Sequence, residues 1–431
     1  MKRKRCITCL DLGVHYCYSC RKMSGQSGGT EKMAAGKKAV LGVTGGIAAY
    51  KAAELARLLV KKDISVMVVM TENAKEFITP LTFQTLTGHP AFSDLFSQEH
   101  YDLNHISLAA YGDVIVVAPA TANIIGKMAA GIADDLLSTV LLAARAPVLV
   151  CPAMNDNMYT HPAVQNNIRI LQNRGVHIVA PDRGELACKT AGIGRLAELE
   201  AIVEAIETAW TDKDLAGEKI LVTAGPTREP FDPVRFITNY SSGKMGYALA
   251  TMARRRGAEV ILVSGPTVLP IPYGVDFIPV ESAVEMRGAV MSRLETVTVV
   301  IKAAAVADYR PAVRAGNKIK KKRGPLNIDL EKNPDIIAEI GAKKGKRVVV
   351  GFAMESENLL ANAKAKLFAK NMDLIVANDL HQDGAGFQSD TNIIKILDLQ
   401  GGVETVPLMD KLDIAARILD RVKALIYAGS R

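Results

Sequence analysis

From Lys38 onward the chain repeats one pattern: a short apolar run, a glycine turn, a helix-length amphipathic stretch, then another apolar run. KAVLGV leads through Thr44-Gly45-Gly46 into IAAYKAAELARLLVKK and on to ISVMVVM. Short, continuously apolar runs separated by helical stretches are the signature of strands buried on both faces of a parallel sheet. DVIVVAPA, PVLVCPA and VHIVAP continue the alternation, and Ala197 to Trp210 reads as a closing amphipathic helix. After the polar TDKDLAGEK a second alternation begins at KILVTAGPT. It runs through AEVILVSGPT, TVTVVIKAAAVADY, RVVVGFAM and MDLIVAND, with helices around Gly243 to Arg256 and Asn358 to Lys370. The expected fold class is α/β, with two doubly wound Rossmann-like domains in series.

At 431 residues the chain exceeds what one hydrophobic core usually supports. The expected division is a leader over 1–36, a first domain over 37–210, a linker over 211–217 and a second domain over 218–431. Six cysteines in a chain this long make no disulfide framework, so reduced thiols are expected. Four of them form Cys6-x2-Cys9 and Cys17-x2-Cys20, which suits either a small zinc site or an unstructured leader running into the Gly/Ser-rich stretch Ser24 to Thr30. No apolar run is long enough to span a bilayer and the charged start lacks a signal-peptide core, so a cytoplasmic, membrane-free protein is expected. The net charge of +8 is concentrated in MKRKR and in the segment Lys318 to Arg323. Such clusters attract anions, and small phosphorylated metabolites are favoured here over nucleic acid.

Candidate sites sit where apolar runs end, the usual place for ligands in open α/β sheets. Gly45 and Gly46 offer backbone N–H groups for a phosphate, or a tight turn for packing. Thr121 and Asn123, followed by Asp134 and Asp135, offer polar groups for a polyol chain, or helix caps. In PAMNDNMYTHP, Asn155 is able both to donate and to accept, and suits a carboxylate or a turn. In the second half AGPTREPFDPVRFITNYSSGKMGYALA places Asn239, Ser241, Ser242 and Gly243 just before a helix, where backbone amides meet an anion. Caps alone do not account for Arg235, Asn239 and Lys244 standing together there.

TGGIAAYK, His105 in NHISL, APATAN and PAMNDNM together resemble the homo-oligomeric flavin-containing cysteine decarboxylases. That resemblance implies a flavodoxin-like domain binding FMN, with Gly45, Gly46, Thr71, Thr121 and Asn123 around the cofactor. It implies His105 as the active-site histidine, Asn155 as the grip on the departing carboxylate, and Cys188 as the proton donor to the enethiolate. The family's reaction oxidises the thiol-bearing carbon, releases carbon dioxide and then reduces the enethiol. Lys189 and Thr190 depart from the glycine and acidic residue common after that cysteine, while Gly192, Gly194 and Arg195 keep the pattern of a mobile lid.

AAAVADYRP, NKIKKK, KNPDI, GFAME and IVANDL, with the Ser-Ser-Gly segment, resemble the CTP-using bacterial phosphopantothenate–cysteine ligases over Gly217 to Tyr427. This implies an acyl-cytidylate made from 4'-phosphopantothenate and CTP, with magnesium on the triphosphate, followed by attack of the cysteine amine. Asn239 and Arg235 are then expected on the acyl intermediate, with Ser241, Ser242 and Gly243 as anion donors. Ala303, Ala304, Asp308, Phe352, Lys366 and Lys370 are expected at the nucleotide, and Lys318 on CTP as a catalytic cation. The fused ligase half speaks against a regulator, a peptidyl-cysteine decarboxylase or a flavin prenyltransferase. By resemblance the flavin halves are expected as trimers gathered into a dodecamer, with ligase halves paired as dimers.

Overall fold

The structure is a computed structural model that describes residues 36–96, 104–185, 191–320, 326–355, 358–379 and 389–429. The paired cysteines near the start, Cys188 and most of the lysine run after Lys320 lie outside these residues.

The first half contains β1 (Lys38–Val43), α1 (Ala49–Lys61), β2 (Ser65–Met70), α2 (Pro80–Thr87), β3 (Ala91–Phe92), α3 (His105–Tyr111) and β4 (Val114–Ala120). It continues with α4 (Ala122–Ala130), α5 (Leu136–Ala143), β5 (Val148–Pro152), α6 (Asp156–Thr160), α7 (Pro162–Asn173) and β6 (His177–Ile178). β7 (Asp182–Glu185) and β8 (Ala191–Arg195) form an antiparallel hairpin, and α8 (Leu199–Ala209) closes the half. The main sheet is wholly parallel in the order β3-β2-β1-β4-β5-β6. Without the two-residue edge strand β3 the order is the flavodoxin one; with it, the order is the classic dinucleotide-fold one. Every residue of β4 is buried, as the apolar run DVIVVAPA requires of a central parallel strand.

The second half contains β9 (Lys219–Ala224), β10 (Arg228–Pro230), β11 (Phe236–Thr238), α9 (Lys244–Arg255), β12 (Glu259–Ser264), β13 (Asp276–Pro279), α10 (Ala283–Arg293) and β14 (Val299–Lys302). Then come β15 (Tyr309–Pro311), β16 (Leu330–Lys332), α11 (Ile336–Ala342), β17 (Val348–Glu355), α12 (Leu359–Ala369) and β18 (Leu374–Asp379). β19 (Thr391–Asp398), β20 (Val403–Asp410) and α13 (Lys411–Gly429) complete the chain. Its sheet runs β13-β12-β9-β14-β17-β18-β19-β20, parallel through β18 and antiparallel beyond. The strand order reverses between β9 and β14, and that switch point opens a crevice at the strands' carboxyl ends.

Arg255, the last residue of α9, joins the halves, and Arg256 beside it holds the connecting segment. Arg255 reaches Glu204 of α8 at 2.5 Å and also pairs with Glu207, while Arg256 bridges Asp214 and Asp420 at 2.8 Å each. Both arginines are buried. The Arg256 guanidinium, aided by Lys423, pulls the Asp214 carboxyl down to about 2. Among the described residues, no helix is long and apolar enough to cross a membrane.

Candidate functional sites

Parallel strands deliver their carboxyl ends to one edge, so the loops after β1, β2, β4 and β5 meet there. Thr44 Oγ1 donates to the Pro119 carbonyl at 2.7 Å and accepts from the Thr121 N–H at 3.1 Å, tying the first loop to the fourth. A Cβ on Gly45 would lie 2.5 Å from Asn73 Cβ, so this glycine is required by packing whatever else it does. A Cβ on Gly46 would stand 3.6 Å from Thr121 Cγ2. Thr121 begins α4 without capping it, and Asn123 is exposed in its first turn. Thr71 Oγ1 is buried without a hydrogen-bond partner. An orphaned buried hydroxyl beside an uncommitted threonine and glycine N–H groups is a donor set that fits a phosphorylated polyol such as a flavin mononucleotide side chain. Asp134 and Asp135 do not belong to it: both pair with Lys127, and Asp135 caps α5 through Ser138.

His105 opens α3, which is capped by Asn104 and leads into β4. Asn155 follows β5 and its Oδ1 caps α6 by accepting from the Asn157 N–H at 2.9 Å. The β7–β8 hairpin is laid against this segment, with the Met154 N–H donating to the Gly194 carbonyl at 3.0 Å. Cys188 falls in the connection between the hairpin strands, outside the described residues. Cys151, inside β5, is fully buried, and burial pushes its thiol far above the ordinary range.

On the second sheet a cavity of about 560 Å³ occupies the switch point. Asn239, Ser241, Ser242, Gly243, Ala303, Ala304, Asp308, Phe352, Lys366 and Lys370 all stand on its wall. Gly243 takes φ +80° at the start of α9, and a Cβ on Gly246 would lie 2.5 Å from Ala224 Cβ, so α9 is pressed onto β9 and its first turn is fixed at the crevice. The Ala303 and Ala304 N–H groups donate to the Thr223 carbonyl and Oγ1 at 3.2 Å each. Asn239 Nδ2 donates to the Ala305 carbonyl at 3.2 Å, joining the loop before α9 to the loop after β14.

Arg235 and Lys318 are placed differently. Arg235 binds the buried Asp232 through Nε at 3.0 Å and donates to the Ile319 carbonyl at 3.0 Å. That guanidinium, with backbone N–H groups, holds the Asp232 carboxyl far below the usual carboxylate range. Ile319 also donates its N–H to Asp232, so this pair tethers the segment bearing the exposed Lys318 instead of standing on the cavity wall. Neither Arg235 nor Lys318 lines the cavity.

The wall residues not singled out by sequence include Lys302, Asn378, Asn392 and Lys411. Lys302 ends β14 and carried a usable signal, a lone charge closing an apolar run. Its Nζ donates to the Ala304 carbonyl at 3.1 Å, and burial, with Lys370 close by, pushes its ammonium down to about 8. Lys370 pairs with Asp335, the cap of α11, at 2.9 Å. Lys302, Asp308 and Lys370 also line an adjoining cavity of about 380 Å³ with Asn333 and Asp335.

A flavodoxin-type sheet followed by a second α/β sheet with a lysine-lined crevice defines a class, and the family matches agree with it. Residues 28–211 match the Flavoprotein family, and residues 215–426 match the DNA/pantothenate metabolism flavoprotein C-terminal domain. The coenzyme A biosynthesis bifunctional protein CoaBC of Bacillus subtilis (strain 168) is 49% identical over 394 residues, covering 90% of this chain and 97% of that protein. Its counterpart in Escherichia coli (strain K12) is 46% identical over 394 residues, with 90% and 97% covered. A crystal structure of the C-terminal domain of CoaBC shares 44% identity, covers 50% of this chain and 100% of that one, and superposes with a TM-score of 0.44. The chain belongs to the family of coenzyme A biosynthesis bifunctional proteins.

Proposed function

We propose that this chain makes 4'-phosphopantetheine in two steps: its second half joins cysteine to 4'-phosphopantothenate at the expense of CTP, and its first half decarboxylates the product with FMN. The observation that carries the ligase reading is a single cavity that brings Asn239, the Ala303–Ala304 turn and the lysines Lys302, Lys366 and Lys370 onto one wall. Activating a carboxylate as an acyl-nucleotide needs fixed donors where charge builds at phosphorus and cations along the leaving pyrophosphate. The lysines supply the second, magnesium on the triphosphate supplements them, and the Asn239 carboxamide orients the acyl group. Lys318, held by the Arg235–Asp232 tether, approaches from outside the wall.

In the first half Gly45, Gly46, Thr71, Thr121 and Asn123 would hold FMN. Bound FMN supplies the two-electron oxidation and reduction that make a carboxylate beside a thiol-bearing carbon leave. Asn155 grips that carboxylate, His105 orients the substrate, and Cys188 returns a proton. Flavin halves assemble with one another, and ligase halves pair.

Incubating the full chain with 4'-phosphopantothenate, cysteine, CTP and magnesium should yield CMP, carbon dioxide and a product of the mass of 4'-phosphopantetheine. Bound FMN without CMP would remove the ligase assignment.

Lys302 makes the nucleotide site pH-sensitive. Its ammonium is present below about 8 and is lost as pH rises through that value. A triphosphate favours the charged form, so CTP binding should draw a proton and weaken above that pH. Lys302→Arg, always charged, should flatten the dependence. Calorimetric titration of CTP across this range in both proteins checks it; parallel pH profiles would exclude Lys302 from the site.

A further inference from the structure

α9 runs from the ligase cavity to the seam between the halves. Its first turn stands on the cavity wall, and its last residue, Arg255, faces α8 of the first half. The helix is 12 residues long, about 18 Å. α8 is fixed in the first half by Ile202, Val203 and Ile206, which belong to that half's apolar core. Another face of α8 carries Glu204 and Glu207, three residues apart and therefore side by side. Arg255 donates from Nε and one Nη to the two Glu204 oxygens at 2.8 and 2.5 Å, and the same guanidinium pairs with Glu207. Glu207 is shared, its other oxygen pairing with Lys62, just past α1, at 2.8 Å. Lys213 closes the seam: its Nζ donates to the Thr208 carbonyl of α8 and, at 2.7 Å, to the Arg255 carbonyl of α9.

The Arg255 side chain is 11% exposed, so removing its carboxylates would leave a buried charge unanswered. A guanidinium forked onto one carboxylate and touching a second also has a single geometry, so the contact fixes direction as well as distance. α13 repeats the arrangement. It begins at Lys411 on the cavity wall, and further along it Asp420 holds Arg256 and Lys423 holds Asp214, at 2.8 Å each. Both helices thus join the cavity to the seam. A helix is stiff along its axis, so anchoring its last residue also places its first turn. α9 has no slack sideways, because Gly246 lies directly on Ala224. We propose that Arg255 is a positioning residue for the ligation step: through Glu204 and Glu207 the first half holds the start of α9 in register with the turn after β14. The first half is then part of the ligase's framework as well as the seat of its own chemistry.

This inference rests on the ligase reading, and the experiment separates the two. CMP formation by the full chain from 4'-phosphopantothenate, cysteine, CTP and magnesium is followed beside carbon dioxide release from supplied phosphopantothenoylcysteine. The double variant Glu204→Gln/Glu207→Gln, changed only in the first half, should lower kcat/KM for CMP formation about tenfold and leave carbon dioxide release at the wild-type rate. Arg255→Met should give the same loss, and the triple variant no more than either, because all three cut one connection. Arg255→Lys, which keeps the charge, should recover part of it. A lower melting temperature with kcat/KM for CMP formation unchanged, or losses that multiply in the triple variant, overturns the proposal. Should Arg255→Met fail to fold, the glutamine pair, which keeps side-chain size and hydrogen-bond acceptors, carries the test. Absence of CMP from the wild-type protein would remove the ligase reading itself.

Discussion

Gly194→Val should leave CMP formation at the wild-type rate while cutting carbon dioxide release from supplied phosphopantothenoylcysteine at least about a hundredfold. Gly194 sits at φ +144°, backbone that side chains rarely adopt, and a Cβ there would lie 2.2 Å from the Met154 carbonyl oxygen. The contact is backbone against backbone, so no rotamer change relieves it. Valine pries β8 from the Met154–Asn155 segment, breaks the 3.0 Å bond from the Met154 N–H to the Gly194 carbonyl, and shifts the hairpin connection that contains Cys188. An error of an ångström in a proton donor's position is enough for a loss of that size. The second sheet lies elsewhere in the chain and keeps its geometry. Carbon dioxide release at the wild-type rate would show that the hairpin's seat on β5 does not govern the chemistry.

Asn239→Ala should do the converse, lowering CMP formation by about 10²–10³-fold with decarboxylation intact. The carboxamide stands on the wall of the ligase cavity and donates to the Ala305 carbonyl at 3.2 Å. Alanine removes a polar grip on the acyl group and loosens the turn after β14 at the same stroke. Because the interaction is expected to tighten as charge develops, kcat should fall with kcat/KM, and a pure KM effect would mean simple substrate holding. Loss of both activities would point to structural damage, and loss of neither would take Asn239 out of the reaction.

The alternation of apolar runs and helical stretches was legible because burial on both faces leaves a strand no polar position, and that pattern survives without knowing its neighbours. KAVLGV, DVIVVAPA and KILVTAG all became central strands with parallel neighbours on both sides. The last two strands were less legible. β20 exposes much of its length, and VETVPLMD, interrupted by Pro407, carries no regular alternation of apolar and polar residues. The small hairpins β10–β11 and β15–β16 are three residues per strand, too short for periodicity to register.

At the sites the division has the same cause. The residues just after each apolar run come together because a parallel sheet sends every carboxyl end to one edge, so Thr44 and Thr121, or Asn239 and Ala303, are gathered by topology that the sequence alone dictates. Whether a given cation then faces the cavity depends on partners far away in sequence. Arg235 is drawn to Asp232 and the Ile319 carbonyl, 84 residues further on, a contact that no local spacing announces. Lys411 reaches the cavity wall because β19 and β20 fold back antiparallel and start α13 beside α9. The shifted basicity of Lys302 exists only because packing removes water from it. The sequence by itself determined the two sheets and the strand-end motifs, which are local consequences of burial. Only the tertiary structure decided which lysines are dry, which are tethered and which face the ligand, because desolvation and long-range pairing arise from the assembled fold.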